Sequence, residues 1–504
     1  MQALRSRRVV LFLPSYSGKI LGPPLGLLSL AGALRAKGYE PRVIDGALIR
    51  DNRRIVADEI GDCACFGVSL LTGPMIRDAI EISSMVRRLR PELPIVFGGW
   101  HPSLLSGQTL REDFVDIVVR HQGERTLVEI LKRLEAGVSL DLVAGCWFKR
   151  DGKIIQNADR ATTPLSELPP PAYDLIDFGA YEQVMGERKL PYATSIGCPY
   201  ACSYCTDTVF YNRRFNSYDA ERVVQELGGL VRKHRLTEVS LVDSNFLVDV
   251  RRAVAIARGI VQSGTRFRWT FQASTDLLCR MTDEEVELLG ASGVSHIGFG
   301  TESAAPEVLQ FMNKDHQHVP DMYEAARKCA LAGIRVTMNL IFGFPGEEER
   351  HRRETLRVMG EIGSRYENVS FSPNIFTPYP GIPVWPQLRE MGLREPDSLE
   401  AWAGFALGSN NLPWLRGKAY NTLQRSISYF LLDDHMNRIG RRSRSRVVRR
   451  LSSLLRKPLL WRLRRSCFAW PLELWLAMVK RWLVVRRSLL TGQALGGELA
   501  EIGD

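Results

Sequence analysis

Three cysteines within eight residues, Cys198, Cys202 and Cys205 in CPYACSYC, carry the strongest chemical signal in this 504-residue chain. Their Cys-x3-Cys-x2-Cys spacing lets three thiolates on one tight loop hold three corners of a cubane [4Fe–4S] cluster, leaving the fourth iron without a protein ligand. A vacant iron suits a small chelating ligand, such as the amino and carboxylate groups of S-adenosylmethionine (SAM). An electron from the cluster would cleave that sulfonium to a 5′-deoxyadenosyl radical. A zinc site is the competing reading, but zinc prefers four ligands with CxxC-type pairs, and no fourth Cys or His lies nearby.

The remaining cysteines, Cys63, Cys65, Cys146, Cys279, Cys329 and Cys467, are scattered without paired ligand spacing. Free cysteine is usually buried, so core packing is expected of them, not a disulfide framework.

A loop that presents three thiolates needs rigid elements around it. The cysteines follow the apolar segment YATSIG, which opens a β/α rhythm from about 190 to 385 through EVSLVDS, FRWTFQAS, HIGFGTE, RVTMNLIFG and NVSFSPNIF. Six strands with helices between them suit an incomplete (β/α)6 TIM-type barrel, whose chemistry sits at the C-terminal rim. Ahead of it, VVLFLP, PRVID, CACFGVSL, PIVFGG and DIVVR alternate with helical patterns. That order predicts an α/β, doubly wound, Rossmann-like parallel sheet over residues 1–140, with ligands at the strand C-terminal ends. Residues 141–189 include the proline-rich SELPPPAYDLIDF and read as an ordered linker. Residues 386–504 contain no clear strand and read as helical.

Here the likeness to a family becomes plain. Cys-x3-Cys-x-aromatic-Cys resembles the signature of the radical SAM superfamily over roughly 190–385. The resemblance implies that Tyr204 lies beside the SAM adenine, and that Asp243 and Asn245 of LVDSNF stand near the SAM amino group. It likewise implies rim contacts from Gln272 and Ser274 of FQAS, Glu302 of GFGTES, and Gly343 and Pro345 of NLIFGFPGE. One departure is Ile196, where related chains often carry Arg before Gly-Cys-Pro.

The N-terminal domain resembles the cobalamin-binding domain of cobalamin-dependent radical SAM enzymes in GPPLGLLSLAGALRAKGYEPRVIDG, GVSLLTG, VFGGWHPS and DIVVRHQGERTL. The resemblance implies cobalamin contacts from Ser69, Thr72, Gly73, Gly98, Gly99, Gly123 and Glu124. The Asp-x-His-x-x-Gly motif that supplies an axial histidine elsewhere is absent, and PSYSG stands in its place. The lower face of a bound corrin is therefore expected to lack histidine. His101, the nearest alternative, is expected to be a hydrogen-bonded strand-end side chain.

The formal charge of +11 is unevenly spread: residues 438–487 hold sixteen Lys and Arg against one acid, Glu473, while the rest is slightly acidic. Arginines recur beside Leu and Val at helical spacing, with Trp461, Trp470, Trp475 and Trp482 among them. This combination suits a helix lying peripherally in an anionic membrane surface. Arginine-rich segments also neutralise phosphates, and a solvated helical tail is the plainer alternative, but Trp among Leu and Val favours lipid over nucleic acid. No run of eighteen apolar residues occurs. The basic start resembles a secretory signal, yet its apolar run from Val9 to Leu13 is too short and reads better as a buried strand, which implies a cytoplasmic protein.

The whole chain resembles the group holding anaerobic magnesium-protoporphyrin ester cyclase and the hopanoid methylases. Its expected cofactors are a [4Fe–4S] cluster, SAM and cobalamin, and its expected electron donor is of flavodoxin or ferredoxin type. The leading expectation is C-methylation of an unactivated carbon in a small hydrophobic substrate, lipid or isoprenoid-like, or in a secondary metabolite. A radical cyclisation, rearrangement or C–C coupling without methyl transfer is the alternative. RNA modification is disfavoured because the extra N-terminal cysteines for a second cluster are missing.

Overall fold

A computed structural model describes residues 6–16, 22–48, 51–407, 409–443 and 445–475. The described chain divides into two compact units. One takes the residues up to 273 with 291–295 and 377–411; the other takes 274–290, 296–376 and those from 412 onward.

The first unit opens on a seven-stranded sheet. Its strands are β1 (Arg8–Leu13), β2 (Glu40–Asp45), β3 (Cys65–Ser69), β4 (Ile95–Gly98), β5 (Ile117–Val119), β6 (Cys146–Arg150) and β7 (Lys153–Gln156), ordered β2-β1-β3-β4-β5-β6-β7. The first five run parallel. Parallel strands covered on both faces read as continuous apolar runs, and Val9 to Phe12 are accordingly buried. The chain order reverses at β1 and β3, which is where open α/β sheets bind ligands. Antiparallel β6 and β7 extend the sheet into the stretch assigned to the linker. Their turn, Asp151-Gly152 with φ of +50° and +70°, is a two-residue hairpin of the kind Asp-Gly favours.

The linker is a structured cover. Leu165, Leu168, Ala172 and Tyr173 are buried, and the Ala172 amide donates to the Leu28 carbonyl at 2.9 Å. Gly32 on the helix Leu25–Arg35 is required for this fit, since a Cβ there would meet the Pro170 oxygen at 2.2 Å.

The second β/α series begins with β8 (Lys189–Tyr192), slightly earlier than YATSIG. That segment instead breaks after Tyr192 and resumes as β9 (Ser195–Ile196), which pairs antiparallel with β10 (Asn216–Ser217). Parallel β8, β11 (Glu238–Leu241) and β12 (Arg268–Ala273) complete the first unit's share. The series continues with β13 (Val294–Glu302), β14 (Arg335–Phe342) and β15 (Val369–Ile375), also parallel. Two long helices of the second unit, Gly417–Arg442 and Arg446–Arg465, follow. Trp482 and the rest of the basic segment past 475 lie outside the described residues, as do Ser17 and Gly18 of PSYSG.

Candidate active site

The cysteine loop is pinned at its base. Gly197 has φ of +75°, and a Cβ there would sit 2.0 Å from the Arg214 oxygen, so only glycine lets the two strands of the β9–β10 clamp close. Inside the loop the Cys205 amide donates to the Cys202 carbonyl at 3.2 Å, and the Thr208 hydroxyl donates to that same oxygen at 3.2 Å. Burial pushes the Cys205 thiol up to about 12, with Asp207, Cys202 and Cys198 adding to the rise. The three sulfurs therefore share one electrostatic neighbourhood, where metal coordination would hold them as thiolates. Among the described residues no group of His, Cys, Asp or Glu forms a site for a single metal ion. Cubane ligands each meet a different iron and stand wider apart than ligands of one ion.

Asp243 underpins this loop. Its buried carboxylate accepts from the Thr194 amide at 2.8 Å and from the hydroxyls of Thr194 and Ser195. Arg252 lies 3.7 Å away and donates to the Thr194 and Tyr218 carbonyls. Burial raises the Asp243 carboxyl, against the bonds from Ser195 and Thr194 and the charge of Arg252. These bonds fix the strand leading into Cys198.

Directly beside the loop lies a cavity of about 450 Å³. Its floor is the carboxyl edge of the parallel sheet: Leu11, Gly67 to Ser69, Gly98, Gly99 and Val119. Its roof is Tyr192, Ala193, Ser195 and Ile196 before the cysteines, with Phe210 and Tyr211 after them. Ile196, which departs from the family's arginine, thus gives this wall an apolar side chain. Ser69, Gly98, Gly99, Gly123 and Glu124 all line the space. Thr72 and Gly73 do not: Thr72 is bonded to His101, and Gly73, with φ of +116°, backs onto Tyr16 and Phe405. A Cβ on Gly99 would strike the Leu70 backbone at 2.9 Å, whereas a Cβ on the lining Gly26 would meet nothing within 4 Å. Side-chain-free walls of this kind admit a large planar group close to backbone. Glu124 takes a 2.6 Å hydrogen bond from Ser29, and its enclosure raises its carboxyl above the ordinary range.

His101 is fully buried, its Nδ1 lies 2.9 Å from the Thr72 hydroxyl, and burial lowers its pKa to about 3. The histidine that does reach the cavity is His121, held at φ +58° with its ring edge-on to Phe210 and its Nε2 3.5 Å from Asp159. Ser29, Trp100, His121, Phe210 and Tyr211 were not foreseen from sequence. Their aromatic cluster (Trp100 to Phe210, 4.1 Å between ring centroids) joins segments a hundred residues apart, although Trp100 and His121 do sit just past predicted strand ends.

Of the implied SAM contacts in the first unit, Tyr204 is half-buried, Asn245 is buried, and Gln272 is exposed at the end of β12. In the second unit Ser274 precedes the short helix Thr275–Cys279 and is buried. Glu302 ends β13 at a register shift, with φ of +58° and its carboxylate 3.7 Å from the buried Lys314. Gly300 makes room for that carboxylate, since a Cβ there would lie 2.6 Å from it. Gly343, at φ +80°, donates its amide to Glu347 at 2.6 Å and accepts from the Trp414 indole at 2.9 Å; Pro345 is buried beside it.

Comparison with known proteins agrees with this architecture. Residues 192–359 match the radical SAM superfamily and residues 18–131 match the B12-binding domain. An uncharacterized methyltransferase of Pyrococcus horikoshii is 27% identical over 76% of this chain and 83% of its own length. The anaerobic magnesium-protoporphyrin IX monomethyl ester cyclase of Cereibacter sphaeroides is 26% identical over 76% of this chain and 64% of its own. The hopanoid C-3 methylase of Methylococcus capsulatus is 25% identical over 72% and 68%. Among solved structures, the cobalamin-dependent SAM radical enzyme OxsB with aqua-cobalamin bound aligns with a TM-score of 0.72 at 17% identity, over 91% of this chain and 72% of that one. The methyltransferase TsrM of Kitasatospora setae aligns at 0.66 and 20% identity, over 78% and 76%. The chain is therefore an enzyme that carries a B12-binding domain ahead of a radical SAM domain.

Proposed function

We propose that this chain is a cobalamin-dependent radical SAM methyltransferase acting on an unactivated carbon of a hydrophobic, lipid- or isoprenoid-like, or secondary-metabolite substrate. The observation that carries the reading is the glycine-lined cavity between the sheet's carboxyl edge and the segments flanking the three cysteines. A corrin suits its backbone walls, with Ser69, Gly98, Gly99, Gly123 and Glu124 as contacts. Cys198, Cys202 and Cys205 are the ligands for a [4Fe–4S] cluster. When bound, the cluster and SAM supply a substrate-activating radical, and cobalamin supplies the methyl relay.

The chain's own residues hold and shield. Gly197 and Asp243 fix the cysteine loop; Trp100, Phe210 and Tyr211 keep the adjoining wall apolar and exclude water from a reactive radical. Tyr204, Asp243, Asn245, Gln272, Ser274, Glu302, Gly343 and Pro345 are assigned to SAM. An external flavodoxin- or ferredoxin-type donor is taken to reduce the cluster. The hopanoid methylase among the relatives supports a lipid-like substrate, and the basic C-terminal region supports action at the cytoplasmic face of an anionic membrane.

The cyclase relative favours a second reading, radical cyclisation without methyl transfer. One experiment separates the two. Anaerobically reconstituted enzyme is given a reductant, a lipid extract and SAM labelled in its methyl group. Methyl transfer yields S-adenosylhomocysteine and a labelled lipid product beside 5′-deoxyadenosine and methionine; cyclisation yields 5′-deoxyadenosine and methionine without S-adenosylhomocysteine.

A further inference from the structure

The helix Arg446–Arg465 has two apolar faces, and only one is packed among the described residues. On the first, Leu459, Leu460 and Leu463 are buried, and Arg456 is locked to Asp433 by paired bonds of 2.8 and 3.0 Å. That face packs on the helices Gly417–Arg442 and Glu349–Arg365, where a Cβ on Gly363 would come within 3.0 Å of Leu460. The opposite face carries Val447, Leu451, Leu454, Leu455 and Trp461, each more than half exposed. Spacings of four, seven, eight and fourteen residues from Val447 place all five on one stripe at 3.6 residues per turn. An ordinary surface helix shows solvent a polar face, so a second apolar stripe calls for a partner.

The chemistry along its border identifies the partner. Arg446, Arg450, Lys457 and Arg464 form an exposed row beside the stripe, and the helix holds no acidic residue. Just past its end, Trp470, Leu472 and Trp475 are also more than half exposed. Cations in a row, aromatics at the margin and aliphatics between them match, in order, the headgroups, interface and acyl boundary of an anionic bilayer leaflet. Among the described residues no helix is long and apolar enough to cross a membrane, so this helix would lie in the interface plane.

We propose that the outward face of Arg446–Arg465 docks the enzyme on anionic lipid bilayers, with Leu451, Leu454, Leu455 and Trp461 inserted and the basic row on the headgroups. This deepens the membrane placement given above and rests on none of the radical chemistry, because vesicle binding is read without turnover and SAM cleavage without vesicles.

The test uses full-length protein with vesicles of phosphatidylglycerol and phosphatidylcholine, against vesicles of phosphatidylcholine alone. Sedimentation should show binding to the anionic vesicles, weakened by salt, and brominated lipids should quench tryptophan emission. Arg450→Glu with Lys457→Glu should weaken binding about thirtyfold or more. Leu451→Glu with Leu455→Glu should abolish insertion and quenching; both sites are exposed, so the fold should persist by circular dichroism. Equal affinity for both vesicle types, or binding unchanged by both double variants, would overturn the proposal. So would a stripe that instead holds two copies of the chain together, seen as a dimer that the leucine variants dissociate, or one that binds RNA in preference to vesicles.

Discussion

At Gly197 a single methyl group would decide whether the cysteine loop closes. Its Cβ would lie 2.0 Å from the Arg214 oxygen, and the residue sits at φ +75°. Gly197→Ala should therefore yield folded protein with little cluster, read as lost iron–sulfur absorbance after anaerobic reconstitution; full loading would contradict the role given to the β9–β10 clamp. Glu347 offers a pH test. Its buried carboxyl is raised to about 7 by burial, although it accepts from the Gly343 amide and faces Arg352. A carboxyl whose folded pKa exceeds its unfolded value favours folding fully only below the unfolded value, near 4.5, and loses that contribution as pH rises to about 7. Thermal unfolding from pH 4.5 to 7 should thus show wild type losing stability relative to Glu347→Gln, which keeps the acceptor for Gly343. Parallel curves would contradict it. The three cysteines were legible from spacing alone. The work of Asp243 was not, because its partners Thr194, Ser195 and Arg252 are brought to it by strand pairing, which one sequence does not display.

Among the elements, the Asp433–Arg456 pair fastens the last described long helix to its neighbour. Both side chains are almost wholly buried, and removing one partner of such a pair costs about 3–5 kcal/mol. Asp433→Ala should free Arg446–Arg465 to early proteolysis, while the cavity and cysteine loop of the other unit keep their cofactors; unchanged cleavage would contradict the anchoring role. The first five strands were readable because buried parallel strands leave unbroken apolar runs. The hairpin β6–β7 was overlooked because its strands are short and half-buried, though Asp151-Gly152 marks its turn. The first strand of the second series was misplaced by a few residues: KLPY is short and contains proline, whereas the more regular YATSIG is broken by the clamp. The second apolar stripe of Arg446–Arg465 was visible as composition, but only packing distinguished the buried face from the exposed one.

For the molecule as a whole, the decisive feature is that the strand-end cavity of the N-terminal sheet shares a wall with the cysteine loop. Sequence gave the two halves separately, each with its own strand-end residues; the linker cover of Leu165, Leu168 and Tyr173 and the aromatic wall needed the folded chain. Gly26 tests the cavity without disturbing its surroundings, since a Cβ there points into open space. Gly26→Phe should melt within a few degrees of wild type, replacing glycine in a helix at no propensity cost, and should load its cluster while failing to retain a corrinoid. The most direct measurement of the central claim is cofactor content after anaerobic reconstitution with iron, sulfide and hydroxocobalamin. One corrinoid and one four-iron cluster per chain, the cluster's paramagnetic resonance altered by added SAM, is the expected result. A chain that loads the cluster but retains no corrinoid would contradict the account.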